Sequence, residues 1–267
     1  MIPAQVAYRR AATLEDAVDA LADPEAKVVA GGQSLVPLLK LRLVRPTLLV
    51  DIGDLELRGV SMDDGEVRVG ALTTWRELLD APAAGGPALA AIADCAAGIG
   101  DLQVRNRGTV GGSIVHADPA SDFPAVAIAL GASIVLRSPA GERTVATADF
   151  FAGPFTTTIA PQELVTELRL PVAPPRSGSA YVSVEHPASG FALAGAAALV
   201  GPGAERSVAV TGIGSHAFAL PGGDPAALAD VEVFGDHFAS AEYRRHLAGV
   251  VVRRSLDDAG RRAEAGS

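Results

Sequence analysis

The stretch "VVAGGQSLVPLLKLRL", residues 28–43, decides the fold of the N-terminal part of the chain. Residues 27–30 form a short apolar run that predicts a buried strand, and the two glycines after it predict a turn. Ser34 follows the glycines and stands where it can cap a helix through residue 43. Pro46 should end that helix, and residues 47–52 predict another strand. The order strand, glycine turn, helix, strand predicts a βαβ unit with parallel strands.

A second glycine pair occurs in "TVGGS", residues 109–113, and is again followed by a small polar residue. Taken alone, each pair is explained by a turn, because glycine tolerates positive φ. A glycine also lets a phosphate approach backbone N–H groups that a Cβ would block, and the positive end of a helix favours the phosphate charge. Two pairs in one section of the chain therefore favour a phosphate-bearing cofactor.

The glycine spacing argues against the common nucleotide-binding motifs. The Rossmann pattern G-x-G-x-x-G is absent after residue 30, although Asp51 lies about twenty residues further on, where a Rossmann fold has an acidic residue. The P-loop pattern G-x-x-x-x-G-K-[ST] is absent as well. Neither an H-E-x-x-H motif nor a G-x-S-x-G elbow occurs, so the sequence predicts no catalytic residue of a hydrolase and no metal site.

Composition and charge exclude several classes of protein. The chain has 267 residues, 22 basic and 31 acidic, and its net charge of -9 disfavours nucleic acid as a partner. The most apolar stretch, residues 123–136, contains a proline and a glycine and is too short to span a bilayer, which takes about 20 residues. No signal peptide is visible, so a cytoplasmic location is expected. The single cysteine, Cys95, excludes an internal disulfide and a four-cysteine cluster within this chain.

The rest of the chain predicts an α+β protein in two sections. A strand at residues 66–72, helices at 75–79 and 87–97, a helix ending near 130 and a hairpin around 139–141 precede a proline-rich linker at 171–180. Strands at 180–187, 191–200 and 207–216 and a helix at about 240–259 follow the linker.

Polar residues near the second glycine pair are candidate ligands. Asp122 can accept a hydrogen bond from a ribityl or ribose hydroxyl, while helix capping is the structural alternative for Asp118 and Asp122. Arg105 and Arg107 either neutralise a phosphate, meet another subunit or lie in a solvated loop. His116 and Asp118 alone make a poor metal site.

The stretches "AGGQSLVPLLKLRL", "VRNRGTVGGSIVHADPASDFPA" and "EYRRHLAGVVVRRSL" resemble the FAD-binding medium subunit of molybdenum hydroxylases, the carbon monoxide dehydrogenase and xanthine dehydrogenase family. The resemblance covers essentially the whole chain. It implies a vanillyl-alcohol-oxidase-type (PCMH-type) fold, with an FAD-binding domain at residues 1–173 made of subpieces at about 1–56 and 57–173. It also implies a C-terminal domain at residues 174–267 with a three-stranded antiparallel sheet and helices.

The resemblance implies that two loops hold the FAD pyrophosphate. The implied loop residues are Ala30, Gly31, Gly32, Gln33, Ser34, Leu35, Thr109, Val110, Gly111, Gly112 and Ser113. Asp122 falls where the family has a carboxylate near the cofactor, and Leu164 falls where an apolar residue covers the adenine or flavin region. Phe191 stands where some relatives carry a tyrosine close to the isoalloxazine. Ser183 departs from the family, which commonly has a lysine there.

The function implied by the resemblance is electron transfer. A large subunit with a molybdenum cofactor oxidises the substrate, a small subunit with two [2Fe-2S] clusters relays electrons, and FAD on this chain passes them to an external acceptor. The implied assembly is a dimer of heterotrimers. The alternative is a self-sufficient flavin-dependent oxidase or dehydrogenase of the same fold, which would need its own substrate pocket and base.

Overall fold

The computed structural model describes residues 2–266, and its first unit is a small parallel sheet. Strands β1, β2 and β3 are Ala7–Arg10, Lys27–Val29 and Leu48–Asp51, and they lie in the order β1-β3-β2 with helices α1 (Leu14–Ala20) and α2 (Leu35–Lys40) between them. β2 pairs with β3 in parallel, which confirms the predicted βαβ unit. The expected cap at Ser34 is wrong, since this residue is already helical and its side chain makes no capping bond.

Helix α2 ends three residues earlier than expected, before the proline is reached. Arg42 adopts a positive φ of 56°, and the N–H of Leu43 donates to the carbonyl of Leu38 at 2.9 Å. This left-handed residue closes the helix end.

The second unit combines a five-stranded antiparallel sheet with five α-helices between its strands in the chain. Its strands and helices, in chain order, are β4 (Val60–Asp63), β5 (Glu66–Gly70), α3 (Trp75–Asp80), α4 (Ala90–Gly98), α5 (Leu102–Arg105), α6 (Val110–His116), α7 (Phe123–Ala129), β6 (Ser133–Ser138), β7 (Gly141–Ala146), β8 (Phe151–Gly153), β9 (Thr156–Thr157) and β10 (Leu164–Pro171). The sheet order is β4-β5-β10-β6-β7, and β8 pairs with β9. The helix expected to end near residue 130 begins only at Phe123, because Ala117 has a left-handed φ of 49° and ends α6.

The third unit is an antiparallel sheet covered by a long helix. Strands β11 (Gly178–Glu185), β12 (Ala192–Val200), β13 (Arg206–Thr211) and β14 (Phe218–Ala219) pair in that order, and helix α8 is Ala241–Ala265. The three predicted strands are therefore present, and the two-residue β14 adds a fourth at the edge. Helix α8 runs six residues past its predicted end. Within residues 2–266, no helix combines the length and apolarity needed to cross a membrane.

The third sheet is buried on both faces, which fixes its position against the second unit. Ala194, Ala196 and Ala198 on β12 pack into a core with α8, whereas Ala197 and Tyr181 pack into the core that holds Phe123. The small side chains on β12 permit close packing of helices on both faces. Helices α4 and α7 thus lie against the third sheet.

Candidate functional site

The two glycine loops touch each other. A Cβ on Gly31 would lie 2.0 Å from the carbonyl oxygen of Arg107 and 2.9 Å from the Cα of Gly108. Only glycine fits this contact, because any side chain would overlap the backbone of the neighbouring loop. Residues that lie far apart in sequence therefore meet at this point.

The first loop presents unpaired backbone donors. Within residues 2–266, none of the N–H groups of residues 31–35 donates a hydrogen bond to another group of the chain. Gly32 has a φ of +73°, and the side-chain amide of Gln33 donates to the carbonyl of Gly31 at 3.3 Å. Successive free N–H groups in such a turn suit an anion. Because α2 has only six residues, these amides matter more here than a helix dipole.

The second loop differs, because its N–H groups are already paired. Val110 and Gly111 donate to the carbonyls of Thr73 and Ala71, each at 2.9 Å. Gly112 donates to the side-chain oxygen of Thr109 at 3.2 Å. Ser113 completes the set by donating to the carbonyl of Thr109 at 3.1 Å. A direct role of these amides at the phosphates stays a prediction; the observed bonds fix the loop on the end of β5.

The loop between α6 and α7 continues this surface. Ser113 and Ser121 lie with their hydroxyl oxygens 3.0 Å apart, which joins the second glycine loop to the residue before Asp122. Asp122 precedes α7, yet its side chain makes no capping bond, so capping is the wrong interpretation for this residue. Its Oδ1 instead accepts a hydrogen bond from the hydroxyl of Tyr181 on β11. Asp118 closes a local turn by accepting from the N–H of Ala120 at 2.9 Å.

The ionised carboxylate of Asp122 lowers the free energy of unfolding, because it is largely buried. Burial raises the pKa of its carboxyl to about 6, the hydrogen bond from Tyr181 lowers it, and the charge of Glu185 raises it further. The folded chain therefore binds more protons than the unfolded chain between the usual pKa of 3.8 and about 6. Stability falls as pH rises through this window, and the whole penalty is present above it. A buried, perturbed carboxyl of this kind is typical of a functional site.

We expect Asp122→Asn to raise the free energy of unfolding at pH 8 by about 1–2 kcal/mol, because the amide carries no charge to desolvate. The gain should shrink to a small remainder near pH 4, where the folded-state carboxyl is protonated and the unfolded one, with its usual pKa of 3.8, is still partly ionised. Urea unfolding at the two pH values measures it. Asp101→Asn is the control, since an asparagine can still cap α5 through the N–H of Val104. Equal gains at both pH values would contradict the prediction.

The other residues that the resemblance places near the cofactor lie in different environments. Leu164, at the start of β10, is only 5% exposed and packs in the core of the first unit. Phe191 is 49% exposed at the turn between β11 and β12. Ser183 has its hydroxyl 3.4 Å from a carboxylate oxygen of Glu185. The cofactor roles of Leu164 and Phe191 stay predictions.

Arg105 and Arg107, which precede the second glycine pair, make different contacts. Arg105 donates to the carbonyls of Ile99 and Gly100 at 3.1 and 2.8 Å, so it stabilises its own loop. Arg107 is exposed, and its carbonyl forms the contact with Gly31. Within residues 2–266, no group of three His, Cys, Asp or Glu side chains is placed to hold a metal ion.

Sequence reasoning missed two residues that build this surface. Tyr181 and Thr211 lie in the predicted strands 180–187 and 207–216, and neither belongs to a recognisable motif. Thr211 lies with its hydroxyl 3.0 and 2.8 Å from the carbonyl oxygens of Pro119 and Ser121. Only the pairing of distant elements shows that these side chains serve the α6–α7 loop.

Two surface depressions lie away from the glycine loops. One, of about 410 Å³, lies between residues 84–93 and the end of α8, and the other, of about 320 Å³, lies over β4, β5 and β10.

Comparison with known proteins identifies the family. Residues 4–173 match the family described as the FAD binding domain in molybdopterin dehydrogenase. The carbon monoxide dehydrogenase medium chain of Hydrogenophaga pseudoflava is 34% identical, with 97% of this chain and 98% of the relative covered. The 6-hydroxypseudooxynicotine dehydrogenase complex subunit alpha of Paenarthrobacter nicotinovorans is 35% identical, with 98% and 97% covered.

A solved structure supports the same assignment. The structure of carbon monoxide dehydrogenase from Hydrogenophaga pseudoflava superposes with a TM-score of 0.93 at 33% identity and covers 98% of this chain and 99% of the other. The likeness confirms the predicted PCMH-type FAD-binding fold with its antiparallel sheets. The chain belongs to the FAD-binding family of the molybdopterin dehydrogenases and is an oxidoreductase subunit.

Proposed function

We propose that this chain is the FAD-carrying electron-transfer subunit of a molybdenum hydroxylase, with the FAD pyrophosphate bound at the first glycine loop. The observation that carries the proposal is the row of unpaired N–H groups at residues 31–35, which the contact between Gly31 and Gly108 holds against the second loop. These donors fit a pyrophosphate, and a Cβ on Gly31 would separate the two loops. FAD supplies the redox chemistry, because a flavin accepts and releases electrons one or two at a time.

Other residues would complete the site around the cofactor. Asp122 has one carboxylate oxygen bonded to Tyr181, and its second oxygen accepts no hydrogen bond from another residue within residues 2–266. That oxygen can accept from a ribityl or ribose hydroxyl. Phe191 is exposed enough to stack on a planar ring, although it lacks the hydroxyl of a tyrosine. Leu164 is buried in the core of the first unit, so it would contact the adenine or flavin region only where that core meets the surface.

The partner subunits follow from the relatives and from this chain's single cysteine. The relatives are named as a medium chain and a complex subunit, which supports assembly with other chains. We propose a large molybdopterin-binding subunit and a small subunit with two [2Fe-2S] clusters, arranged as a dimer of heterotrimers in the cytoplasm. Cys95 is buried and cannot ligate such clusters.

The end of the family match at residue 173 supports the proposed division into domains at residues 1–173 and 174–267.

Co-expression of the full chain with the large and small subunits tests this function. We expect an assembled complex with about one FAD per copy of this chain, whose flavin absorption bleaches when substrate is added and returns with the acceptor. The matched control carries Gly31→Ala in this chain and should assemble without flavin. Turnover by this chain alone, with no partner present, would instead favour the self-sufficient oxidase.

A further inference from the structure

The α6–α7 loop takes its shape from the third sheet. The N–H of Gly212 donates to the carbonyl of Pro119 at 2.9 Å, beside the two carbonyl contacts of the Thr211 hydroxyl. Thr211 is completely buried at the end of β13. These bonds fix the loop up to Ser121, so Asp122 begins from an anchored backbone.

Tyr181 extends the same support to the Asp122 side chain. Its ring is buried in the core that contains Phe123, and its backbone N–H donates to a carboxylate oxygen of Asp94 at 3.1 Å. Its hydroxyl lies against Gly195 on β12, where a Cβ would come within 2.2 Å of the hydroxyl oxygen. The missing side chain at Gly195 therefore leaves room for the hydroxyl, which donates a hydrogen bond to Asp122.

The geometry points to Tyr181 as a positioning residue for cofactor binding: its hydroxyl occupies Oδ1 of Asp122 and orients Oδ2 to accept a hydrogen bond from an FAD hydroxyl. This inference rests on the proposed function and adds to it a residue that has no contact with FAD of its own. A carboxylate with one oxygen tied down loses less rotational freedom when a ligand binds.

The charged groups around Asp122 determine how the arrangement responds to pH. Glu185 on β11 and Asp118 on the same loop both raise the pKa of Asp122, whereas the Tyr181 hydroxyl lowers it. The thiol of Cys95 on α4 also faces this carboxyl, and burial holds its pKa well above the usual value. Removal of the tyrosine hydroxyl should therefore shift the protonation of Asp122 to higher pH.

The test measures FAD dissociation constants of the full chain by flavin fluorescence between pH 5 and 8.5, values chosen to span roughly the titration of a perturbed carboxyl. Wild-type affinity should fall as pH drops through about 6. Tyr181→Phe should bind FAD about tenfold more weakly at neutral pH and move the midpoint of the pH profile upward. Asp122→Asn should bind weakly with no midpoint in this range.

Two further variants keep the test decisive. Tyr8→Phe removes another tyrosine-to-aspartate hydrogen bond, the one to Asp51, and should leave the midpoint unchanged. Gly195→Ala retains the Tyr181 hydroxyl but crowds it, so it should also raise the midpoint, which covers the case that Tyr181→Phe does not fold.

A weaker Tyr181→Phe with the wild-type midpoint would reduce Tyr181 to a packing residue and overturn the inference. A wild-type affinity that does not vary with pH would overturn it too, because Asp122 would then not contact FAD. Absence of FAD binding by the wild type at every pH would refute the proposed function itself, and that outcome is distinct from the other two.

Discussion

Gly31→Ala is expected to lower the affinity of the full chain for FAD by roughly 100-fold or more, which corresponds to losing about two charge-assisted hydrogen bonds. The new Cβ would lie 2.0 Å from the carbonyl oxygen of Arg107, so the two glycine loops must move apart. The free N–H groups of residues 31–35 would then be displaced from their position beside the second loop. Flavin content after purification and titration of the apoprotein with FAD both measure the effect.

Gly178→Ala is the matched control for this prediction. A Cβ there would lie 2.3 Å from the carbonyl oxygen of Ala259 and 2.4 Å from the backbone nitrogen of Ala263, a clash of similar severity between β11 and α8. We expect this variant to lose thermal stability while its folded fraction retains FAD. If both variants lose stability and FAD to the same degree, the effect of Gly31 is on folding and the pyrophosphate site is misplaced.

Arg262→Ala is expected to destabilise the chain by about 2 kcal/mol, which lowers Tm by roughly 4–8 °C in a protein of this size. The guanidinium of Arg262, near the end of α8, donates to both carboxylate oxygens of Asp94 on α4, at 2.6 and 2.9 Å. It also donates to the carbonyl of Ser179 on β11 at 2.7 Å. One side chain thus joins three elements, and its removal leaves a half-buried carboxylate without its cation.

The expected loss of about 2 kcal/mol is smaller than for a fully buried ion pair, because water screens the two charges. The side chains of Arg262 and Asp94 are 35% and 26% exposed. Arg76→Ala is the control, because its ion pair with Asp80 at 2.7 Å is more than half exposed on one helix. It should cost at most about 0.5 kcal/mol. Calorimetry of both variants, of Asp94→Asn and of the double variant Arg262→Ala with Asp94→Asn completes the comparison. Additive losses in that double variant would show that the pair does not act as a unit.

Local patterns in the sequence predicted the elements that depend on neighbouring residues. The βαβ unit and the three C-terminal strands follow from apolar runs bounded by glycine or proline, and the structure confirms both. The turn expected at the second glycine pair is wrong, because Gly111 and Gly112 lie in the first turn of helix α6. The family motifs likewise predicted the fold and the cofactor class. The cap assigned to Ser34 failed because the residue is already helical where a cap must be extended.

Contacts between distant residues determined the rest of the candidate site. Both glycine loops look alike in sequence, yet only the first retains free N–H groups, since Thr73 and Ala71 accept those of Val110 and Gly111. Asp122 is followed by Phe-Pro at a helix start and reads as a cap, but a tyrosine 59 residues away takes its carboxylate.

The sequence by itself therefore determined the order of the elements, the glycines at the tight approaches and the family to which the chain belongs. Only the tertiary structure decided which of the backbone donors stay available and which carboxylate oxygen remains free. The physical reason is that a hydrogen-bonding group satisfies itself with whatever the fold brings within about 3 Å, and that partner is not encoded in the residues beside it.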